Sequence, residues 1–308
     1  MTARPERRFS VIVASRDRPG SLARTLTAIT QLDFPEFEVV VVGDRPTLDV
    51  ADQVRRGAFK LCEFDEPNLS VARNIGVAAA AGDFCAFIDD DAVPEPTWLQ
   101  HHAAALTELN AAASVGFVRG PDGLRFQSRH ETIDAQGWTK AEHVGDGDSP
   151  FIPCPERGRE TKLIGTNMVI RRDVLIEMGG FDPVYRYFLE DSDMSWRLGQ
   201  NGQKVVVAPL AEVHHAIAAS DRRARRGVPR ALVDVGRSSA VFVRRHSRVD
   251  LAIARDAIRS REKRRLLRFM IRGLCEPRDV GRILSTFDRG WEEGEQCGLI
   301  PPPKLEPR

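Results

Sequence analysis

With 308 residues, 45 Lys+Arg against 44 Asp+Glu, 42% hydrophobic and 29% charged residues, the chain has the composition of an ordinary globular protein: two packed units, or one large α/β domain with an appendage. No apolar run approaches the ~18 residues of a membrane span, and the Arg-rich stretch Met1 to Ser10 lacks the apolar core of a signal peptide. Cys62, Cys85, Cys154, Cys275 and Cys297 are odd in number and show no CxxC pairing, which argues against a disulfide framework or zinc cluster and sets the expectation of a cytoplasmic location.

Phe9 to Ala14 is a short β-branched apolar run, and Pro19-Gly20 followed by Leu22, Leu26 and Ile29 has helical spacing, so strand, loop and helix follow in order. The cycle repeats: Glu38 to Val42 reads as a buried strand, Leu48 to Arg56 as a helix, Phe59 to Phe64 as a strand and Leu69 to Ala81 as an Ala-rich helix. Phe84 to Ile88 is a fourth strand, running directly into Asp89-Asp90-Asp91. Continuous apolar strands alternating with helices predict a mainly parallel sheet covered on both faces. A helix from Pro96 to about Ala113 leads into Arg119 to Glu160, rich in Gly, Pro and Asp with little periodicity, which reads as a long functional loop. Leu163 to Arg171 is a strand, Glu190 to Gln200 a helix, and Lys204 to Ala208 the last strand, followed by His214-His215.

From Val228 onward the apolar residues keep helical spacing amid arginine, ending in Pro301-Pro302-Pro303, which is expected to fray. Between Arg222 and Arg272 seventeen Lys+Arg face four acids, so the rest of the chain is net acidic. Such a basic helical appendage suits an anionic membrane surface, a second subunit or the acidic body itself.

Three consecutive acids after a strand repel one another, and a single Asp suffices to cap the next helix. If strand geometry continues through Asp90, Asp89 and Asp91 share one side and could hold a hard cation such as Mg2+ or Mn2+; the alternative is a solvated acidic turn before Pro94 and Pro96. They stand at the carboxyl end of a strand, where open α/β sheets bind ligands. In Glu190-Asp191-Ser192-Asp193, Asp193 has an i,i+4 partner in Arg197 and reads as structural. Glu190 and Asp191 remain, preceded by Tyr185, Tyr187 and Phe188, which could desolvate a carboxylate for general-base work. His214 and His215 each could supply an imidazole. Asp44 could meet a ribose or cap a helix, and Arg73 could face a nucleotide.

Together, FSVIVASRDRPGSLARTL, NLSVARNIGVAAAAGDFCAFIDDDAVPEPTWL and GTNMVIRRDVLIEMGGFDPVYRYFLEDSDMSWRLGQNGQKVVVAPLAEVHH resemble family 2 glycosyltransferases of the rhamnosyltransferase-like, inverting kind, over about Phe9 to His215. The resemblance implies a GT-A fold, a Rossmann-like sheet flanked by helices. It also implies transfer of a sugar from a nucleotide diphosphate-sugar to an acceptor hydroxyl, with inversion and Mn2+ or Mg2+, in cell-envelope polysaccharide or glycolipid synthesis. Residues 1–218 would be the transferase domain, with 119–160 on its acceptor side, and 219–308 a basic α-helical extension.

Carried over by motif, the IDDDA run matches the metal-binding DXD segment, giving Asp89 and Asp91 to the metal, and Asp89 and Asp90 to the nucleotide-sugar side. EDSD matches the segment whose Asp, here Asp191, is the catalytic base, with Glu190 beside it. Ser15, Arg16, Asp44 and Arg73 fall on nucleotide-contacting positions, and His215, with His214 as competitor, on a third metal ligand. Asn167 is expected on the acceptor side, and so is Trp138, which lies in the stretch Arg119 to Glu160 outside the resemblance and could stack on a sugar face or serve as a packing anchor. Gly43-Asp44-Arg45-Pro46 replaces the paired acids of many relatives, so nucleotide preference does not carry over. The implied partners are the donor, a saccharide or lipid-linked saccharide acceptor, and, through the extension, the inner membrane face or a second copy.

Rival readings fare less well. No GxGxxG follows a predicted strand, against a dinucleotide-dependent oxidoreductase, and no Gly-rich phosphate loop opens the chain as a nucleotidyltransferase would need. A nucleic-acid binder using the Arg-rich segment would need no metal-and-base constellation, and aromatics there are sparse. A catalytically silent scaffold would have no use for intact Asp89, Asp91 and Asp191.

Overall fold

The computed structural model describes residues 8–145, 147–217, 224, 227–302 and 305–306. The boundary expected at 218/219, Arg222, Arg223, Arg225 and Arg226 of the basic segment, most of the Arg-rich start, and Pro303 lie outside the described residues. Strand β1 (Phe9–Ser15) is buried along nearly its whole length and feeds α1 (Pro19–Ile29), whose Leu22, Leu26 and Ile29 are fully buried. Each of those side chains contributes roughly 1.5–3 kcal/mol of transfer free energy. Strand β2 (Phe37–Gly43) runs into α2 (Arg45–Val54), which begins earlier than its apolar spacing predicts because Asp44 caps it, accepting from the Thr47 amide at 3.2 Å. The edge strand β3 (Lys60–Glu63) leads to α3 (Leu69–Ala79), capped by Asn68, and then to β4 (Phe84–Phe87).

Three differences from expectation follow. The chain turns at Asp89-Asp90-Asp91 into a further strand, β5 (Ala92–Pro94), and α4 (Trp98–Glu108) is shorter than predicted because Ala113–Arg119 forms strand β6. The segment expected as a loop carries β7 (Phe126–Ser128), β8 (Glu131–Asp134), β9 (Thr139–Ala141) and β10 (Arg159–Thr161). The last three form a separate antiparallel sheet in the order β10-β8-β9. Strand β11 (Met168–Arg171), short α5 (Arg172–Glu177), α6 (Glu190–Gln200) and β12 (Val205–His215) complete the body.

The main sheet runs β3-β2-β1-β4-β11-β6-β12-β5, with β7 on β6. Its first four strands are mutually parallel, β11 is antiparallel to both neighbours, and β6 and β12 are parallel. The sheet is therefore mixed, parallel on the half that carries β1, β2 and β4. One apolar layer packs α1, α2 and α4 on one face; the other lies under α3, α5 and α6. Helices α7 (Val233–His246), α8 (Leu251–Ile271) and α9 (Pro277–Gln296) form the expected helical extension, with a core of its own around Leu232, Phe287 and Trp291. A smaller cluster of Ile133, Tyr185, Leu189, Trp196, Val241 and Phe242 joins α7 to the body.

Candidate active site

The carboxyl ends of β1, β2 and β4, the start of α6 and the small sheet enclose a cleft of about 800 Å3. Strand pairing explains why the acidic turn and a distant histidine meet there. Strand β5 pairs antiparallel with the end of β12, Ala92 opposite His215 and Val93 opposite His214, so the residue before β5 lies beside His215. His215 Nε2 is 3.1 Å from Asp91 Oδ1, and a ligand atom each from Asp89, Asp91 and His215 lie within 4.8 Å of one another. Alternation along β12 turns His214 the other way, onto Glu95 at 2.6 Å. Of the two candidate histidines, it is His215 that joins the acids.

His215 Nδ1 faces Gln127 Oε1 at 3.1 Å, an acceptor, so that nitrogen carries the proton and Nε2 points at a carboxylate. An imidazolium would satisfy both contacts by itself, while the two carboxylates and one imidazole that converge here are also a donor set suited to Mn2+ or Mg2+. The donor set fits such an ion.

Asp90 is turned inward rather than to the cleft. It accepts from Ser15 Oγ at 2.6 Å and meets Arg18 at 2.5 Å. Burial pushes its carboxyl up to about 7 although Arg18 and Ser15 oppose this. Arg18 also reaches Asp91 at 3.3 Å, tying the acidic turn to the β1 loop. Ser15 and Arg16 line the cleft, Arg16 paired with Asp65 at 2.8 Å. Asp44 is set back, its carboxylate taken by the Thr47 amide and, at 3.4 Å, the Asp17 amide.

Arg73, buried in α3, sits between the two acidic clusters, 2.9 Å from Glu190 and 3.6 Å from Asp89, and donates to the Gly165 carbonyl at 3.2 Å. A Cβ at Gly165 would stand 2.6 Å from that guanidinium, so a side chain there would displace it from this position. Thr166 donates to Asp89, and the Gly165 amide donates to Asp191 at 3.0 Å, so one short segment before β11 holds both the acidic turn and the α6 acid.

Helix α6 starts on Leu189, a non-glycine residue with φ +67°, a conformation that costs free energy and is held by packing in the α7 cluster. Glu190 is buried; desolvation and the neighbouring Asp191 push its carboxyl up to about 8, against Arg73. Asp191 is half-exposed in the cleft wall, oriented by the Gly165 amide and by Ser192 Oγ at 3.1 Å. Asp193 is fully buried between Arg197 at 2.7 Å and His246 of α7 at 2.8 Å. Burial raises its carboxyl, but those two partners outweigh burial and hold it below its ordinary value.

Two expected acceptor-side residues stand elsewhere. Asn167 is fully buried behind the cleft and uses its whole amide on Trp98, His102, Phe117 and Ala211. Trp138 packs into the helical extension under the Arg261 guanidinium, 4.6 Å from its ring centroid, while its neighbours Gly137 and Thr139 line the cleft. Lys162, Thr166, Gln127, Arg186, Arg230 and Arg261 also line the cleft, and residue patterning singled out none of them. Lys162 is partly buried; desolvation lowers its ammonium, but Asp191, Glu131 and Glu190 outweigh that and raise it.

A model described as Glycosyl transferase family 2 matches residues 10–179, more than half of the chain, ending before α6 and His215. The pre-mycofactocin glycosyltransferase of Mycobacterium tuberculosis is 27% identical over 220 residues, covering 68% of this chain and 43% of that protein. The succinoglycan biosynthesis protein ExoM of Rhizobium meliloti is 30% identical over 216 residues, 65% of this chain and 64% of that protein. The chain thus spans less than half the length of the mycobacterial relative. Among solved structures, GalNAc-T7 with UDP, GalNAc and Mn2+ matches with a TM-score of 0.61 at 17% identity, over 77% of this chain and 48% of that one. Staphylococcus aureus TarS 1-349 with UDP-GlcNAc matches at 0.56 and 17% identity, over 92% and 81%. At these identities the structural likeness is one of fold, which is GT-A.

Proposed function

Because the chain belongs to glycosyl transferase family 2, and so is a glycosyltransferase with relatives in polysaccharide biosynthesis, we propose that it moves a sugar from a nucleoside diphosphate-sugar to an acceptor hydroxyl. The proposed reaction inverts the anomeric centre, depends on a divalent cation and serves cell-envelope polysaccharide or glycolipid synthesis. The observation that carries this reading is the meeting of Asp89, Asp91 and His215 in one cleft with the half-exposed Asp191.

Asp89, Asp91 and His215 would hold Mn2+ or Mg2+, which when bound supplies neutralisation of the donor's diphosphate. Asp191, fixed by the Gly165 amide, accepts the proton of the acceptor hydroxyl. The freed oxygen bonds to the anomeric carbon as its bond to the diphosphate breaks, and the nucleoside diphosphate departs on the far side, so configuration inverts. Glu190, protonated near neutrality, adds no second negative charge beside that base and keeps Arg73 in place. Ser15 and Arg16 face the nucleotide from the β1 loop. Asp90, held by Ser15 and Arg18, sets the loop's position, and Asp44 does the same as the α2 cap.

Calorimetry with UDP, GDP, dTDP and ADP, in Mn2+ and in EDTA, tests the reading. One nucleotide is expected to bind in Mn2+, and Asp91→Ala should weaken it at least about tenfold. Absence of binding by all four in Mn2+ would overturn the donor-site assignment.

A further inference from the structure

The cleft holds more positive charge than the donor reading uses. Of its cations, Arg16 is matched by Asp65, Arg18 by Asp90 and Asp91, Arg73 by Glu190 and Asp89, and Lys162 by Glu131. Arg186 and Arg230 are exposed at the cleft and, among the described residues, have no carboxylate within 4.0 Å. Arg261 shares the buried Glu262 with Arg265, at 3.2 and 3.0 Å.

All three line the cleft that holds the base, and the Arg186 carbonyl also accepts from the Leu69 amide at the start of α3, at 2.7 Å. Arg186 lies four residues before Glu190 in the segment leading into α6. Arg261 is stacked on Trp138, whose neighbour Gly137 sits against Leu189, a Cβ there being 3.5 Å from Leu189 Cδ1. Arg230 opens the extension on which α7 and α8 are built. A stacked, planar guanidinium is already ordered, so it loses little freedom on gripping an oxyanion with two parallel hydrogen bonds.

We propose that Arg186, Arg230 and Arg261 form an oxyanion subsite on the acceptor side of the cleft, so that the acceptor is an anionic saccharide bearing a phosphate ester or a carboxylate. This rests on the transferase reading for the word acceptor; the subsite itself rests on the three arginines. Arg186 and Arg230 add two positive charges without a carboxylate partner, among the described residues, to the cleft that holds Asp191, which favours an acceptor carrying a compensating negative group. The helical extension, outside the family match, thereby contributes two of the three recognition residues.

The full chain is titrated with glucose 1-phosphate, glucuronate and methyl glucoside, and separately with UDP in Mn2+, for the wild type, R186Q, R230Q, R261K and the triple glutamine variant. At least one anionic sugar is expected to bind about tenfold or more tightly than methyl glucoside, the preference falling by about that factor in the triple variant and in part in R261K, which keeps the charge without the stacked, two-pronged grip. Whichever of phosphate and carboxylate binds names the anion. UDP binding should be unchanged in every variant. Equal binding of the three sugars, an unaltered preference in the triple variant, or loss of UDP binding in place of sugar binding each overturns the subsite. A wild type that binds anionic sugars through these arginines but no nucleotide would instead overturn the transferase reading and leave the oxyanion site standing.

Discussion

Asn167 illustrates how a polar residue beside an active site can be wholly occupied by the scaffold. Its Nδ2 donates to the Phe117 and Ala211 carbonyls at 2.9 and 2.7 Å, which fixes Oδ1 as acceptor for Trp98 Nε1 at 2.7 Å and His102 Nε2 at 2.9 Å. Gly116 makes room, since a Cβ there would lie 2.0 Å from the Ala211 oxygen. With its proton on Nε2, His102 accepts from Ser114 Oγ at 2.8 Å through Nδ1. The ring is thus neutral and satisfied, and burial pushes its pKa down to about 4. Between pH 4 and 6.5 the unfolded chain binds this proton and the folded chain does not, so stability rises with pH across that window and is lost as pH falls through it. The contribution is roughly 3 kcal/mol. Melts from pH 4 to 7 should show a shallower slope for His102→Gln than for the wild type, although the variant is less stable at pH 7. Parallel slopes would place the proton uptake elsewhere.

At the scale of elements, the attachment of α6 decides where Asp191 points. Two turns of contact hold it: Asp193 to His246 of α7, and Leu189 within the cluster that includes Phe242. His246→Ala should therefore lower the melting temperature by an amount corresponding to about 1.5–3 kcal/mol, the net loss of a buried hydrogen bond to a charged group. It should reduce turnover while leaving nucleotide affinity in place, because Asp89 and Asp91 stand on the turn between β4 and β5 and His215 on β12. A variant that lost nucleotide binding first would show that α7 supports the other half of the cleft. The α6 acids and the acidic turn were legible because consecutive carboxylates at element ends have few purely structural uses. Strands β1, β2 and β4 were legible because they are buried on both faces and read as unbroken apolar runs. Strands β8, β9 and β10 were not: they are three or four residues long, β9 is exposed throughout, and their pairing joins residues up to about thirty positions apart. The end of β12 was hidden by Pro209 and by the register shift between Ala208 and Val213, so His214 and His215 looked like a tail instead of a strand that reaches β5. Asn167 and Trp138 were misplaced for the same reason: their partners, Phe117 and Ala211 for one and Arg261 for the other, are distant in sequence.

Across the whole molecule, the basic extension divides its charge between the body and solvent. Helix α7 spends its cations inward, Arg245 on Asp182 and His246 on Asp193. On α8, Arg255 and Arg259 meet Asp288. Lys263, Arg264, Arg268 and Arg272 differ: they are exposed, lie on one side of α8 around the exposed Ile271, and have no carboxylate within 4.0 Å among the described residues. No helix among the described residues is long and apolar enough to cross a membrane. Four cations without a carboxylate partner among the described residues form a basic patch of the kind an anionic lipid surface attracts, at roughly 1 kcal/mol per cation. Sedimentation with vesicles containing an anionic lipid should therefore show binding that weakens as salt rises from about 0.1 to 0.5 M, since the screening length shortens over that range. Replacing all four by glutamine should weaken it by on the order of a hundredfold or more, and neutral vesicles should bind neither form. Binding that ignores salt or survives the fourfold variant would assign the exposed α8 face to another role. Arg261 stands on the same helix and reaches the cleft, so a chain seated on a membrane by α8 would hold that part of the cleft close to the surface.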